Sequence, residues 1–240
     1  MTVSELHTRF KIKFDKIDSF NSPELSPEQI DEMLNIAQEE LINMIGRKGF
    51  EKDQDYMDYV NNITIPYSTT NFTTTSLNKP NGIFIDLPSD YRTCLLEYVD
   101  VTYTDCNNTT QTKTVEVKPI SRDRYNTIVR DPFNKPGKHT VQNKVVRLSS
   151  SVKQRGVNDT FELIPGSDLT ITKYYIDYIR QPQKIKYGTA YATPSTDVNC
   201  ELSIKAQEKI VDLAVDEALK ILGLTERYTI NKQEETQENK

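Results

Sequence analysis

Apolar residues recur at helical spacing at both ends of this chain and at alternate positions in its middle. Near the start, Val3, Leu6, Phe10 and Ile17 fall on one helical face, with Phe14 beside them. Thr2 or Ser4 can cap this first helix, and Thr2 followed three residues later by Glu5 has the form of a capping box. The linker Phe20-Asn21-Ser22-Pro23 ends it. A second helix is expected from Ser26-Pro27, with serine as N-cap and proline at the first helical position. Its apolar stripe is Ile30, Met33, Leu34, Ala37, Leu41 and Ile45, and the glycines at 46 and 49 stop it. A shorter third helix is expected over 52–60, with Tyr56, Tyr59 and Val60 on one side.

The middle changes period. Runs at 63–67, 83–87, 95–103, 114–117, 144–148, 160–164 and 169–179 are rich in Val, Ile, Thr and Tyr, which suits β-strands. Leu95, Val99, Val101 and Tyr103 show the alternation most clearly. Turns are expected at Pro80-Asn81-Gly82 and Ile164-Pro165-Gly166. Segment 119–138 holds three prolines and little alternation, so it reads as a long loop of the kind that is functional or mobile. A final helix is expected over 202–222, striped by Gln207, Ile210, Val211, Ala214, Ala218, Ile221 and Leu222. Leu213, Val215 and Leu219 widen the stripe, which predicts contact on two sides. Asp212, Asp216 and Lys220 leave a narrow polar ridge, with Asp216 and Lys220 spaced for an ion pair. Gly223 ends the helix, and 226–240 has too little apolar content to fold alone.

The expected fold is α+β. N-terminal helices (1–62) and the C-terminal helix (196–225) form a helical bundle. A mainly antiparallel β domain (63–195), carrying a long basic loop, is inserted between them, and a polar tail (226–240) follows.

Composition narrows the classes of function. No apolar run approaches the ~20 residues that span a bilayer, and MTVSELHTRFKIKF has no signal-peptide core, so no membrane role is expected. Cys94, Cys106 and Cys200 are odd in number and widely spaced, which suits a reducing compartment without a disulfide framework. Sequons such as Asn71-Phe72-Thr73 are read as coincidence in a chain rich in Asn and Thr. No phosphate-binding glycine loop is present. His7 and His139 lack any catalytic context and are expected to be exposed. Asp53, Asp55 and Asp58 lack the glycine and closing glutamate of a calcium loop, so they read as the acidic first turn of a helix. Cys200 precedes a helix that could lower its pKa, although packing or capping is the favoured role. Neither a metal nor a cofactor is expected.

Charge is more informative. The net charge is −5, yet ten Lys and Arg residues between Lys118 and Arg155 are opposed only by Asp123 and Asp131. Such a segment can be a solvated loop, or it can meet a complementary surface. Tyr125 and Phe133 lie among Arg122, Arg124, Arg130 and Lys135, a mixture that single-stranded nucleic acid would also accept. A sequence pI of about 5.3 argues against an autonomous nucleic-acid binder, and the acidity of the rest of the chain favours contact between subunits. Tyr174, Tyr175, Tyr178 and Tyr187 either face an interface or edge a sheet.

Several stretches in fixed order carry a family resemblance: MTVSELHTRFKIKFDKIDS, SPEQIDEMLNIAQEELI, IDLPSDY at 85–91, YIRQP at 178–182, CEL at 200–202 and EKIVDLAVDEAL. This order resembles the ring or head-to-tail adaptor proteins in the neck of tailed bacteriophages, of the crAss-like podovirus type. The match includes Leu34, Ala37 and Leu41 of the second helix and Ile210, Val211 and Ala214 of the last. The resemblance implies helices with an inserted β domain and a virion protein of the neck or tail vertex, made in the host cytoplasm. It implies a non-enzymatic, dodecameric ring that connects portal to tail and extends the DNA channel. The implied partners are further copies of the chain, the portal protein, other neck or tail rings, and genomic DNA passing without sequence-specific binding. The expected subunit or portal contacts are Arg122, Arg124, Arg130, Lys135, Lys138, Arg147, Tyr174 and Tyr178. The alternative is a nucleic-acid-binding accessory protein using segment 118–155.

Overall fold

The structure, a computed structural model, describes residues 1–17, 25–47, 54–74, 79, 81–139, 143–148, 160–188 and 197–222. In chain order the elements are α1 (Val3–Ile17), α2 (Pro27–Arg47), α3 (Gln54–Val60), β1 (Thr64–Thr69), β2 (Thr73–Thr74), β3 (Ile83–Asp86) and β4 (Tyr91–Thr104). There follow β5 (Thr110–Ile120), α4 (Arg122–Arg130), β6 (Val145–Leu148), β7 (Thr160–Ile164), β8 (Thr170–Arg180) and α5 (Ile204–Ile221). The fold is mixed α+β, in two compact units: Met1–Ile63 together with the chain from Pro182 onward, and Thr64–Gln181. The expected linker at 20–23, the start of the third helix at Lys52, the glycines at 49 and 223, and the tail 226–240 lie outside the described residues.

In the helical unit, three helices begin where side chains satisfy the first free N–H groups. Thr2 and Glu5 form a reciprocal capping box: Glu5 Oε2 accepts from Thr2 N at 2.9 Å, and Thr2 Oγ1 from Glu5 N at 3.2 Å. Ser26 and Gln29 repeat it at α2. Ser203 caps α5 by accepting from Ala206 N. Helix α5 packs against α1, α2 and α3. The resulting core takes Leu6, Phe10 and Phe14 from α1, Ile30, Leu34, Ala37 and Leu41 from α2, and Ile210, Val211, Ala214 and Ala218 from α5, all buried. The polar ridge expected on α5 is narrower than its sequence suggests. Asp216 is buried, and Lys220 bonds to Glu217 at 3.2 Å. His7 is also buried rather than exposed. Its Nε2 lies 2.7 Å from Asp31 Oδ1, and its ring stacks on Tyr187.

In the other unit the strands run β1-β8-β4-β5-β6-β7-β3-β2. Every pairing is antiparallel except β5 with β6. Strand β5 changes partner along its length: Thr110–Glu116 pairs with β4, and Val117–Ile120 with β6. The two marginal strands, β1 and β2, are joined by residues 70–72 alone, which reach at most about 14 Å. The sheet is therefore curled, and its concave side closes on one core. Val99 and Val101, Val115 and Val117, Val145, Leu163, Ile85 and Ile176 all contribute to it. Register shifts in the β4–β8 pair help the curl. The shift at Asp100/Val101 adds a residue to β8, so Ile171 and Tyr174 both face inward although they are three apart.

One ion pair sits inside this core. Glu97 and Arg147 fall on inward positions of β4 and β6, and Arg147 Nε lies 2.7 and 2.9 Å from the two carboxylate oxygens of Glu97. Cys94 Sγ donates to the same carboxylate at 3.0 Å, and the guanidinium lies 4.0 Å from the Phe161 ring centroid. The outward side of β5–β7 carries a smaller cluster of Ile120, Val146, Leu148 and Ile164, covered by Tyr125 and Ile128 of α4.

Segment 119–138 is thus not a long loop. Strand β5 continues to Ile120 and α4 follows within two residues. A helix of nine residues with two inward apolar side chains has too little periodic signal to be seen in sequence. Its stability comes from the sheet beneath it.

Removing one member of the Glu97–Arg147 pair strands a buried charge. Glu97→Ala should cost roughly 3–5 kcal/mol in urea unfolding, whereas the double change Glu97→Leu with Arg147→Met should lose far less. Equal losses would mean that packing, not charge, decides this site.

Candidate subunit interface

Helix α4 and the turn after it form a braced projection. On the sheet side, Lys79 Nζ lies 2.5 Å from the buried carboxylate of Glu162 and also over the Tyr125 ring at 5.5 Å. Arg122 Nη2 approaches Glu162 from the helix at 3.8 Å. These contacts hold Tyr125 and Ile128 of α4 against the sheet and leave Arg124, Val129 and Arg130 exposed around the rest of the helix. Asp131 then organises the turn. Its Oδ1 accepts from Phe133 N at 2.9 Å and its Oδ2 from Asn134 Nδ2 at 2.7 Å. The Asn134 hydrogen bond, followed by that from Phe133, holds the Asp131 carboxyl below its usual pKa. Lys144 Nζ donates to the carbonyl of Phe133 and to Asn134 Oδ1. Gly137 and Lys144 exchange backbone hydrogen bonds at 2.9 Å. Gly166, at φ +85°, lies so close to this strap that a Cβ there would stand 2.5 Å from the Pro136 carbonyl oxygen. The outcome is an ordered turn that holds Phe133 79% exposed beside exposed Lys135.

The expected contact residues separate on this frame. Arg124, Arg130 and Lys135 are exposed together on α4 and its turn, and Arg122 is shared with Glu162. Lys138 is half-buried, donating to the Thr104 carbonyl at 2.8 Å and lying over the Tyr103 ring. Arg147 is committed to Glu97 and is no surface residue. Tyr174 and Tyr178 are likewise core residues. They share an inward face of β8 with Ile176, and Tyr178 donates to Asp90 Oδ1 at 2.9 Å. Burial, then the Asp90 hydrogen bond, pushes the Tyr178 phenol up to about 12. Lys153 and Arg155 lie outside the described residues.

The helical unit carries a feature that apolar periodicity did not reveal. Asp31, Asn35 and Gln38 recur at helical spacing on α2 and bind the backbone of the chain after β8. Asp31 Oδ2 accepts from Tyr187 N at 2.9 Å. Asn35 both accepts from Ile185 N and donates to its carbonyl. Gln38 donates to the Gln183 carbonyl at 3.1 Å. The signal was polar residues set at helical spacing beside the apolar stripe. Next to this seam is a groove of about 710 Å³, lined by Glu32, Ile36, Glu39, Glu40, Met44 and Glu217 among others.

Among the described residues, no cluster of His, Cys, Asp and Glu could hold a metal, and no helix is long and apolar enough to cross a membrane. Cys200 does not have the lowered pKa that a helix N-terminus could confer. Burial pushes its thiol up to about 11, and it donates to Gln38 Oε1 at 3.4 Å. Burial also raises the Cys94 thiol, with the Glu97 carboxylate adding to the effect.

The β unit is thus a curled sheet that carries a charged helix and an ordered turn, and the helical unit packs around α5. The chain matches the family model described as phage tail ring protein 3/4 over residues 1–229, and it belongs to that family of structural phage ring proteins. It is similar to a protein named ring protein 4/5 from Bacteroides phage crAss001. The two are 26% identical over 234 residues, which cover 90% of this chain and 91% of the relative.

The raised thiols predict selective labelling. A thiol reagent at pH 8 should modify exposed Cys106 quickly and leave Cys94 and Cys200 untouched, because both stay protonated below their raised pKa values. Cys200 should begin to react as the pH nears 11. Rapid labelling of Cys200 at pH 8 would contradict its place in the core.

Proposed function

We propose that this chain is a structural, non-enzymatic component of the phage neck or tail. Copies of it close a head-to-tail, dodecameric ring that connects portal to tail and extends the DNA channel. The match to the tail ring family over residues 1–229 carries this reading. Three features support it further. The helical unit is built from chain segments on both sides of the β unit, which suits a helical bundle with an inserted β domain. A head-to-tail ring needs two different, matching surfaces on one chain, and the basic projection and the acidic groove are of that kind. A net charge of −5 also suits a conduit that must release DNA rather than hold it. The remaining partners in this reading are the portal, other neck or tail rings and the passing genome, at the virion vertex after synthesis in the host cytoplasm.

Nucleic-acid binding through segment 118–155 is the second reading, favoured by exposed Phe133 among Arg124, Arg130 and Lys135. The segment's five exposed cations among the described residues, Lys118, Arg122, Arg124, Arg130 and Lys135, neutralise few phosphates. Any DNA affinity should therefore fall with salt at a log–log slope no steeper than about −5 and vanish near physiological salt. A steeper slope, or retention at that salt, would favour the second reading.

Electron microscopy of the purified protein mixed with the portal protein of the same genome should show a stacked ring absent from either alone. A bare portal, together with absence of the chain from purified virions, would overturn the neck assignment.

A further inference from the structure

We propose that the projection made by Arg124, Val129, Arg130, Phe133 and Lys135 docks into the groove along α2 of a second copy of this chain. This rests on the ring reading above and specifies the contact that would close the ring.

Four observations converge. First, Phe133 is 79% exposed and Val129 39%, an apolar pair at the tip of an otherwise polar element. A large aromatic left in water is costly unless something covers it, and aromatic anchors dominate interface energies. Second, Phe133 is not a loose side chain on a loop. Asp131, Lys144 and the close pass of Gly166 against Pro136 fix the turn that carries it, so little freedom is lost on docking. Third, Arg124, Arg130 and Lys135 are all exposed on the same helix and turn, while Arg122 is engaged with Glu162 at 3.8 Å. Fourth, the groove along α2 offers the complementary chemistry. Glu32, Glu39, Glu40 and Glu217 outnumber Lys184 and Lys220 in its lining, with Lys220 bonded to Glu217, so exposed Glu32 and Glu40 carry the complementary charge; Ile36 and Met44 supply apolar lining, and Ile36 is 37% exposed. At about 710 Å³ it is within the ~300–1,000 Å³ of pockets that enclose a sizeable group.

Projection and groove are different surfaces of one chain. A contact between them is heterologous, so each copy would give its projection to one neighbour and its groove to the other, as a ring requires. Nucleic acid would match the projection but not the acidic groove. The presence of both on one chain favours a second copy as the occupant.

The test uses the full chain under the conditions in which the unaltered protein forms rings. One variant reverses the projection (Arg124→Glu, Arg130→Glu, Lys135→Glu) and another the groove (Glu32→Lys, Glu40→Lys). Each should lower ring yield at least tenfold while circular dichroism stays unchanged, and an equimolar mixture of the two should recover mixed contacts. A benzophenone-bearing amino acid in place of Phe133 should crosslink to residues 32–44 of a neighbouring, isotopically distinct copy. Rings from both reversed variants at normal yield, or a crosslink to DNA or to another surface, would overturn the docking while leaving the ring reading intact. Failure of the unaltered chain to form any ring, alone or on the portal, would sink both.

Discussion

Residues 70–72 join the two margins of an eight-stranded sheet, and this short link constrains everything else in the β unit. A sheet whose first and last strands are tied so closely cannot lie flat. It curls, and curling creates an inside that must be filled. Alternate residues of β4, β5, β7 and β8 fill it with Val, Leu, Ile and Tyr. Arg147 falls on an inward position, where its charge is tolerated because Glu97 meets it on both carboxylate oxygens and Phe161 lies against its guanidinium. The same curl leaves the outward side of β5–β7 apolar, and α4 covers it. Covering that patch is what lifts Phe133 and its basic neighbours into solvent.

The helical unit solves a different problem. Its cap residues set where helices begin, and its apolar stripes bury against α5. The chain leaving β8 has no sheet partner over 183–187, apart from one isolated bridge between Lys186 and Val198. Its backbone groups are satisfied instead by Asp31, Asn35 and Gln38. Half-buried Asp31 and Asn35 and buried Gln38 are specific in this role, because their spacing on α2 matches one register of that segment. Helix α2 therefore has an apolar face toward α5, a polar seam toward the chain and an acidic rim toward solvent.

Membership of a phage ring family gives these surfaces a purpose. Burial raises the Cys94 and Cys200 thiols above their usual pKa, and the buried carboxylates of Glu162 and Glu97 lie against Lys79 and Arg147. In the docking proposed above, a basic projection meets a groove in which glutamates outnumber lysines, a contact polarity that two like surfaces would lack.

The amino-acid sequence by itself determined the elements whose signals are local. The capping box at Thr2, the N-cap at Ser26, the stripe through Leu34, Ala37 and Leu41, the stripe through Ile210, Val211 and Ala214, and the β-branched runs were legible because each depends on neighbours within a few residues. The basic segment was legible as composition. Which of its members reach solvent was not, because Arg147 and Arg124 differ only in the strand and helix that carry them. Tyr174 and Tyr178 were placed by the face of β8 that the curl turned inward, and His7 by the arrival of Asp31 and Tyr187 from distant segments. Helix α4 exists as a helix because a sheet formed from remote strands offers it an apolar bed. Those are long-range contacts, and only the tertiary structure decides them.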